Sequence, residues 1–297
     1  MTDTAKTPLE LWAEEIHQDN LGLRYRVART LYSGESEFQR IDVVETTGFG
    51  RMLFNDSIAM VSERDEWVYH EMIAHVPLFV HPGVRRALVI GGGDGGTVRE
   101  VLRHPAVESV RLVEIDPCVV EACREHLAVT AAALDDPRVT VTIGDGVAFV
   151  ADTDERFDLV IVDSTDPIGP ATPLFGAEFY SNVHRVLEPG GLVVSQAESP
   201  FYEAGRQRSV LSILANRFGR TAIYNYTNLT YPGGLWSFAW ACKADLCPIG
   251  DFDPSRVDSA ALECRYYNKS IHRGAFILPE FQRANLDGLL STFKTDP

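Results

Sequence analysis

The 297-residue sequence is poor in cysteine: Cys118, Cys123, Cys242, Cys247 and Cys264 are its only five. Their number is odd and no two form a C-x-x-C pair, which argues against a disulfide framework and a zinc knuckle. They read as reduced thiols in or near the core, and no metal site is expected. Long apolar runs are also missing. No stretch approaches the roughly 20 residues of a membrane helix, and the start MTDTAKTPLELW lacks the basic region and apolar segment of a signal peptide. The expectation is a cytoplasmic protein with no membrane partner. Basic side chains are scarce, 27 against 42 acidic, for a formal net charge of -15. That balance disfavours a nucleic-acid surface and favours cationic small molecules.

What is present is an ordinary globular composition, 45% hydrophobic, long enough for one large core or two modest domains. From about Gly22 to Val61, apolar and polar residues alternate between glycine-bearing turns, the pattern of an antiparallel meander. The segment DEWVYHEMIAHVPLFVH then shows helical spacing at Trp67, Met72, Ile73 and Val76 and is expected to stop near Pro77. Beyond it the apolar runs RALVIG, SVRLVEID, RVTVTIGD, FDLVIVD and GGLVVSQ alternate with helical segments. Runs of this kind, buried on both faces, predict a doubly wound parallel sheet. GRTAIYNYT and GLWSFAWACK read as two more strands, and the tail from Asp251 shows little regular pattern. The predicted class is therefore α/β, a Rossmann-like doubly wound sheet preceded by a small antiparallel β domain. The boundary is placed at residues 1–64 and 65–297, the second part including a C-terminal extension.

Ligands of open α/β sheets bind beyond the carboxyl ends of the strands. In this sequence each such end carries a polar residue: Asp94, then Glu114 and Asp116, then Asp145, then Asp163 and Asp166, then Gln196. Together they predict one pocket rich in carboxylates. Glu114, about 20 residues past the glycine turn, is where these folds grip a ribose diol. Asp116 reads equally as the N-cap of the next helix or as a ligand contact. Asp145, in GDG, either makes a turn or accepts from an adenine amino group. The stretch VDSTDPIGPATPLFGAEFY reads as a lid over the site, since long loops in compact domains are usually functional.

Gly91, Gly93 and Gly96 satisfy the spacing G-x-G-x-x-G of dinucleotide-binding turns. Asp94 argues against a phosphate there. A helix start offers free N–H groups to an anion, and Asp94 takes that place. Two like charges about 4 Å apart at an effective dielectric near 20 repel by roughly 4 kcal/mol. A diphosphate, or the carboxylate of intact S-adenosylmethionine, is thus disfavoured; a nucleoside with a cationic tail fits.

The ordered set YHEMIAHVPLF, GGGDGGTVREVLRHP, VEIDP, DDPRV, GDG, DSTDPIGP, TYPGG and CRYYN resembles the polyamine aminopropyltransferases, from about Phe38 to at least Phe276. The resemblance implies a sheet of the S-adenosylmethionine-dependent methyltransferase type. It also implies aminopropyl transfer from decarboxylated S-adenosylmethionine, a co-substrate rather than a cofactor, to an amine, putrescine being the family-weighted choice. Agmatine, cadaverine and longer polyamines remain open. By motif position Gln39, Glu114, Asp145 and Gly146 would contact the nucleoside, His70 would lie on the donor side, and Asp94 would hold the propylamine. Asp163 would be the base, with Tyr69, Asp166, Gln196 and Tyr231 along the amine channel. A homodimer or homotetramer is implied, with the β meander as a plausible interface. Met60, Asn228, Leu229 and Phe201 depart from the family's usual residues and are expected near the acceptor. Rival readings are a methyltransferase, an NAD-dependent dehydrogenase, which Asp94 disfavours, and a non-catalytic polyamine sensor.

Overall fold

The computed structural model describes residues 10–165 and 169–291. Its first sheet is an antiparallel meander of β1 (Leu11–His17), β2 (Leu21–Glu35), β3 (Arg40–Thr46), β4 (Gly50–Asn55) and β5 (Ile58–Ser62), paired in chain order. The expected meander began at Gly22 and missed β1. That strand buries only Glu15 and leaves Leu11, Trp12 and Ile16 exposed, so it has no apolar inward face to read.

Helix α1 (Glu66–Val80) follows, buried at every position except Trp67. It does not stop near Pro77. Proline removes one helical hydrogen bond, but the Arg256 guanidinium donates to the carbonyls of Leu78, Phe79 and His81. A cation on the last carbonyls offsets both the unmet acceptors and the helix dipole. The helix therefore continues one turn further.

The second sheet contains β6 (Arg86–Gly91), β7 (Ser109–Glu114), β8 (Val139–Ile143), β9 (Phe157–Asp163), β10 (Leu187–Gln196), β11 (Arg220–Thr227) and β12 (Leu235–Cys242), in the order β11-β12-β10-β9-β6-β7-β8. The pairs from β8 to β10 are parallel, and β12 enters antiparallel between β10 and β11. Val89, Leu112, Leu159, Ile161 and Val194 face a core shared with α1 and the meander. Leu88, Ile90, Val113, Val160 and Val162 face the opposite core. Burial on both faces explains why these strands read as unbroken apolar runs.

The connections include α2 (Gly96–Leu102), α3 (Pro117–His126), α4 (Ala128–Ala131), α5 (Gly146–Asp152), α6 (Ala177–Val186) and α7 (Ala204–Arg217). No helix was expected at α7, although its buried positions Gln207, Val210, Leu211 and Leu214 keep helical spacing. A glutamine within the stripe and arginines around it mask the pattern. The tail, expected to be irregular, holds α8 (Pro254–Ala260), α9 (Lys269–Ala275) and α10 (Glu280–Asn285). Each is too short to display a period, and Asp253 and Asn268 start the first two as side-chain N-caps. Among the described residues no helix is long and apolar enough to cross a membrane, and all five cysteines are free thiols.

Glu71 fastens the tail to α1. Its buried carboxylate accepts from the backbone N–H groups of Arg265, Tyr266 and Tyr267 at 2.7, 2.8 and 2.8 Å. Removing it strands three donors, so Glu71→Ala should destabilise the fold by about 3 kcal/mol in urea unfolding. A change under about 0.5 kcal/mol, the scale of an ordinary surface substitution, would contradict this role.

Candidate active site

The strand order reverses between β6 and β9, where a doubly wound sheet opens its crevice. Gly91 ends β6 there, beside Asp163 at the end of β9. Gly91 has φ +79, and a Cβ on it would lie 2.1 Å from the Asp163 carbonyl oxygen, so only glycine lets the two strand ends meet. Gly96 serves a different closeness. A Cβ on it would fall 2.1 Å from the His70 ring. The glycine motif therefore brings α1 and β9 against the turn.

A pocket of about 300 Å³ opens at this point. Gln39, Tyr69, His70, Asp94, Glu114, Asp145, Gly146, Asp163, Gln196 and Tyr231 all line it. Asp166 lies outside the described residues, as does part of the expected lid; the 3-10 turn at Gly169–Phe175 that follows sends Ala171 and Leu174 to the pocket wall. Of the four departures, only Met60 lines the pocket. Leu229 and Phe201 are exposed, and Phe201 packs on Phe281. Asn228 is buried one step behind, accepting from the Tyr231 N–H. None of these three side chains reaches the pocket wall, although Asn228 holds Tyr231, which does.

Carboxylates on one side of the pocket are held by backbone. Glu114 accepts from the N–H groups of Gly93 and Asp116, and burial pushes it up to about 7. Asp145 caps α5 through the Val147 N–H and lines the pocket. Asp116 proves to be an N-cap. It accepts from the Cys118 N–H, is fully buried, and takes the Gln39 amide and the Ser36 hydroxyl on its other oxygen.

On the other side, charges alternate. Arg99 donates to Glu66, Glu66 lies 2.6 Å from His70 Nδ1, and His70 Nε2 lies 3.4 Å from Asp94. Burial opposes the imidazolium, but Asp94, Glu66 and Asp163 outweigh it and push His70 up to about 9. Burial likewise raises Asp94, while the His70 cation and the Gly96 N–H pull the other way. Asp163 accepts from the Tyr69 hydroxyl at 2.7 Å and the Thr97 hydroxyl at 2.6 Å. Burial, then the Asp163 charge, hold the Tyr69 hydroxyl well above its usual range, leaving it a neutral donor. Ligand atoms of His70, Asp94 and Asp163 lie within 4.8 Å of one another. The two carboxylates of that triad could accept a cation, either a metal ion or an ammonium group.

Several contributors were not legible in the sequence. Glu15 and His17 of β1 reach the pocket, as do Tyr226 and Trp236. The Tyr226 hydroxyl is buried there without a hydrogen-bond partner among the described residues. Asp65 precedes α1 as an N-cap would, yet makes no cap; it holds the Leu229 and Thr230 N–H groups and so fixes the loop carrying Tyr231.

The family model of the spermine/spermidine synthase domain matches residues 66–250, and that of the spermidine synthase tetramerisation domain matches residues 11–63. The chain belongs to the spermine/spermidine synthase family. It is 42% identical to the polyamine aminopropyltransferase of Clostridium beijerinckii, with 95% of this chain and 99% of that relative covered. The polyamine aminopropyltransferase of Moorella thermoacetica is 44% identical, over 93% of this chain and 96% of its own. Among solved structures, a spermidine synthase in complex with the transition state analogue AdoDATO superposes with a TM-score of 0.91 at 41% identity, covering 93% and 94% of the two chains. Spermidine synthase from Thermotoga maritima gives 0.88 at 40%, covering 94% and 95%. As a member of this family the chain is an aminopropyltransferase with the methyltransferase-type sheet, and it carries the family's tetramerisation domain.

His70 binds its proton more tightly in the folded chain than in the unfolded one, where 6.5 is the ordinary value. Its share of stability is therefore complete below about 6.5 and lost as the pH rises through about 9. NMR of the His70 ring should show an alkaline midpoint that Glu66→Gln moves down. A parent midpoint near 6.5 would contradict the charge order described here.

Proposed function

We propose that this chain moves the aminopropyl group of decarboxylated S-adenosylmethionine to a diamine, putrescine first, forming spermidine and methylthioadenosine. The observation that carries this reading is the pairing of Asp94 and Asp163 across one pocket, their carboxylates within 4.8 Å. A three-carbon ammonium tail anchored at Asp94 would present the methylene beside its sulfonium near Asp163.

In this reading Glu114 grips the ribose, Asp145 accepts from the adenine amino group, and Gly146 and Gln39 complete the nucleoside wall. His70 lies under the donor tail. Any side chain on Gly146 would meet Ile90 at 2.4 Å, which keeps that wall flat. Tyr69, Gln196 and Tyr231 line the acceptor channel, with the free Tyr226 hydroxyl as a further donor or acceptor. No metal or cofactor is invoked, because a sulfonium is already a good leaving group. Residues 1–64 would form the assembly domain of a cytoplasmic homotetramer and supply part of the amine site, with 65–297 as the catalytic domain.

An alkylamine with a pKa near 10.4 is almost wholly protonated at neutral pH, and freeing its lone pair costs roughly 4 to 5 kcal/mol. Asp163 accepts that proton or holds the neutral amine in line with the methylene; either lowers the barrier. The nitrogen forms its bond to the methylene as the carbon–sulfur bond breaks, and the pair of electrons leaves on the sulfur of methylthioadenosine. Asp94 neutralises the donor ammonium and repels the carboxylate of the intact sulfonium.

A mass-spectrometric assay with putrescine, cadaverine, agmatine, diaminopropane and spermidine tests the transfer. Methylthioadenosine and aminopropyl-putrescine should appear together. A preference for another amine would move the assignment to it, with Met60 as the wall residue to exchange. Absence of product with every amine would overturn the reading. Asp163→Asn should remove most turnover with methylthioadenosine affinity nearly unchanged; parallel loss of both would contradict the division of roles. Asp94→Asn should weaken decarboxylated donor roughly ten- to hundredfold, below the unscreened Coulomb limit, and leave methylthioadenosine unaffected; equal weakening of both would remove the ammonium from Asp94.

A further inference from the structure

Thr97 is fully buried and does not line the pocket, yet its hydroxyl donates to Asp163 Oδ2 at 2.6 Å. The other carboxylate oxygen takes the Tyr69 hydroxyl. The same carboxylate lies against Gly92, where a Cβ would come within 2.7 Å of Oδ2. Rotation of the carboxylate is thus opposed at two points, from α1 and from the first turn of α2, while glycine at position 92 leaves it the room it occupies. A threonine on the first helical turn could have satisfied its hydroxyl locally. Here it reaches a residue 66 positions away instead.

The start of α2 also fixes the second carboxylate, since the Gly96 N–H donates to Asp94 Oδ1. The group that holds Asp94 and the group that holds Asp163 belong to adjacent residues, Gly96 and Thr97. The spacing between the two carboxylates is therefore set by two successive residues of one rigid turn.

We propose that Thr97 is a positioning residue for aminopropyl transfer: it holds the Asp163 carboxylate in the orientation that receives the amine, in register with Asp94. This rests on the reading of Asp163 given above. Thr97 acts through Asp163 and never meets the substrate, so its loss should reach the rate far more than binding. Each oxygen of a carboxylate has two acceptor positions, so the Thr97 and Tyr69 contacts leave room for the incoming amine.

The test compares Thr97→Val, which keeps the branched shape and removes the hydroxyl, with Thr97→Ser, which restores it. Thr97→Val should lower kcat on the order of tenfold or more, the scale of a small misplacement at a reacting group. The amine KM and the Kd for methylthioadenosine should stay within roughly threefold of the parent, and Thr97→Ser should recover most of kcat. Parental kcat in Thr97→Val overturns the inference. So does a joint loss of kcat and methylthioadenosine affinity that Thr97→Ser shares, which is the signature of a merely structural residue. The two levels separate cleanly. If Asp163→Asn removes turnover and Thr97→Val keeps the parental kcat, the inference falls and Asp163 stands; if turnover survives Asp163→Asn, the reading of Asp163 falls and takes the inference with it.

Discussion

The His70 ring occupies the space that a side chain on Gly96 would fill, and the pocket is built outward from that contact. It sets the distance between α1 and the glycine turn, and with it the distance between the imidazolium and Asp94. Buried charges are tolerable only when paired and hydrogen-bonded. The series Arg99, Glu66, His70, Asp94 meets that requirement by alternating sign. A bulkier turn would part the ring from the carboxylate and deprive Asp94 of its paired charge, leaving His70 to Glu66 alone.

The same turn explains why a dinucleotide-like spacing serves another ligand. In a phosphate-binding turn the helix N–H groups face an external anion. Here the Gly96 N–H is already taken by the protein's own Asp94. The turn keeps the geometry of an anion site and inverts its sign. A sheet topology shared with many enzymes thereby carries a carboxylate where others receive an anion, which is a property of the site and not of the fold.

The strands of the central sheet and the crevice carboxylates were readable from the chain, because each signal is local. A strand buried on both faces is an unbroken apolar run, and its carboxyl end is marked by the next polar residue. Asp94, Glu114, Asp145, Asp163 and Gln196 all appear in the pocket for that reason. The length of α1 was misjudged because the residue that caps it, Arg256, lies some 175 positions away. Strand β1 and helix α7 were missed because neither carries a clean apolar face.

By itself the sequence determined the class of fold and the strand ends whose carboxylates gather in one pocket, since periodicity and charge act between near neighbours. Only the tertiary structure decided which groups hold those carboxylates. Tyr69 and Asp163 are 94 residues apart, and Glu71 grips a segment 194 to 196 residues distant. It also settled Asp116 as a cap, drew Glu15 into the wall, and removed Leu229 and Phe201 from it. Such contacts have no spacing in the chain to betray them; they exist because packing brings remote hydroxyls and N–H groups to a buried carboxylate that must be satisfied.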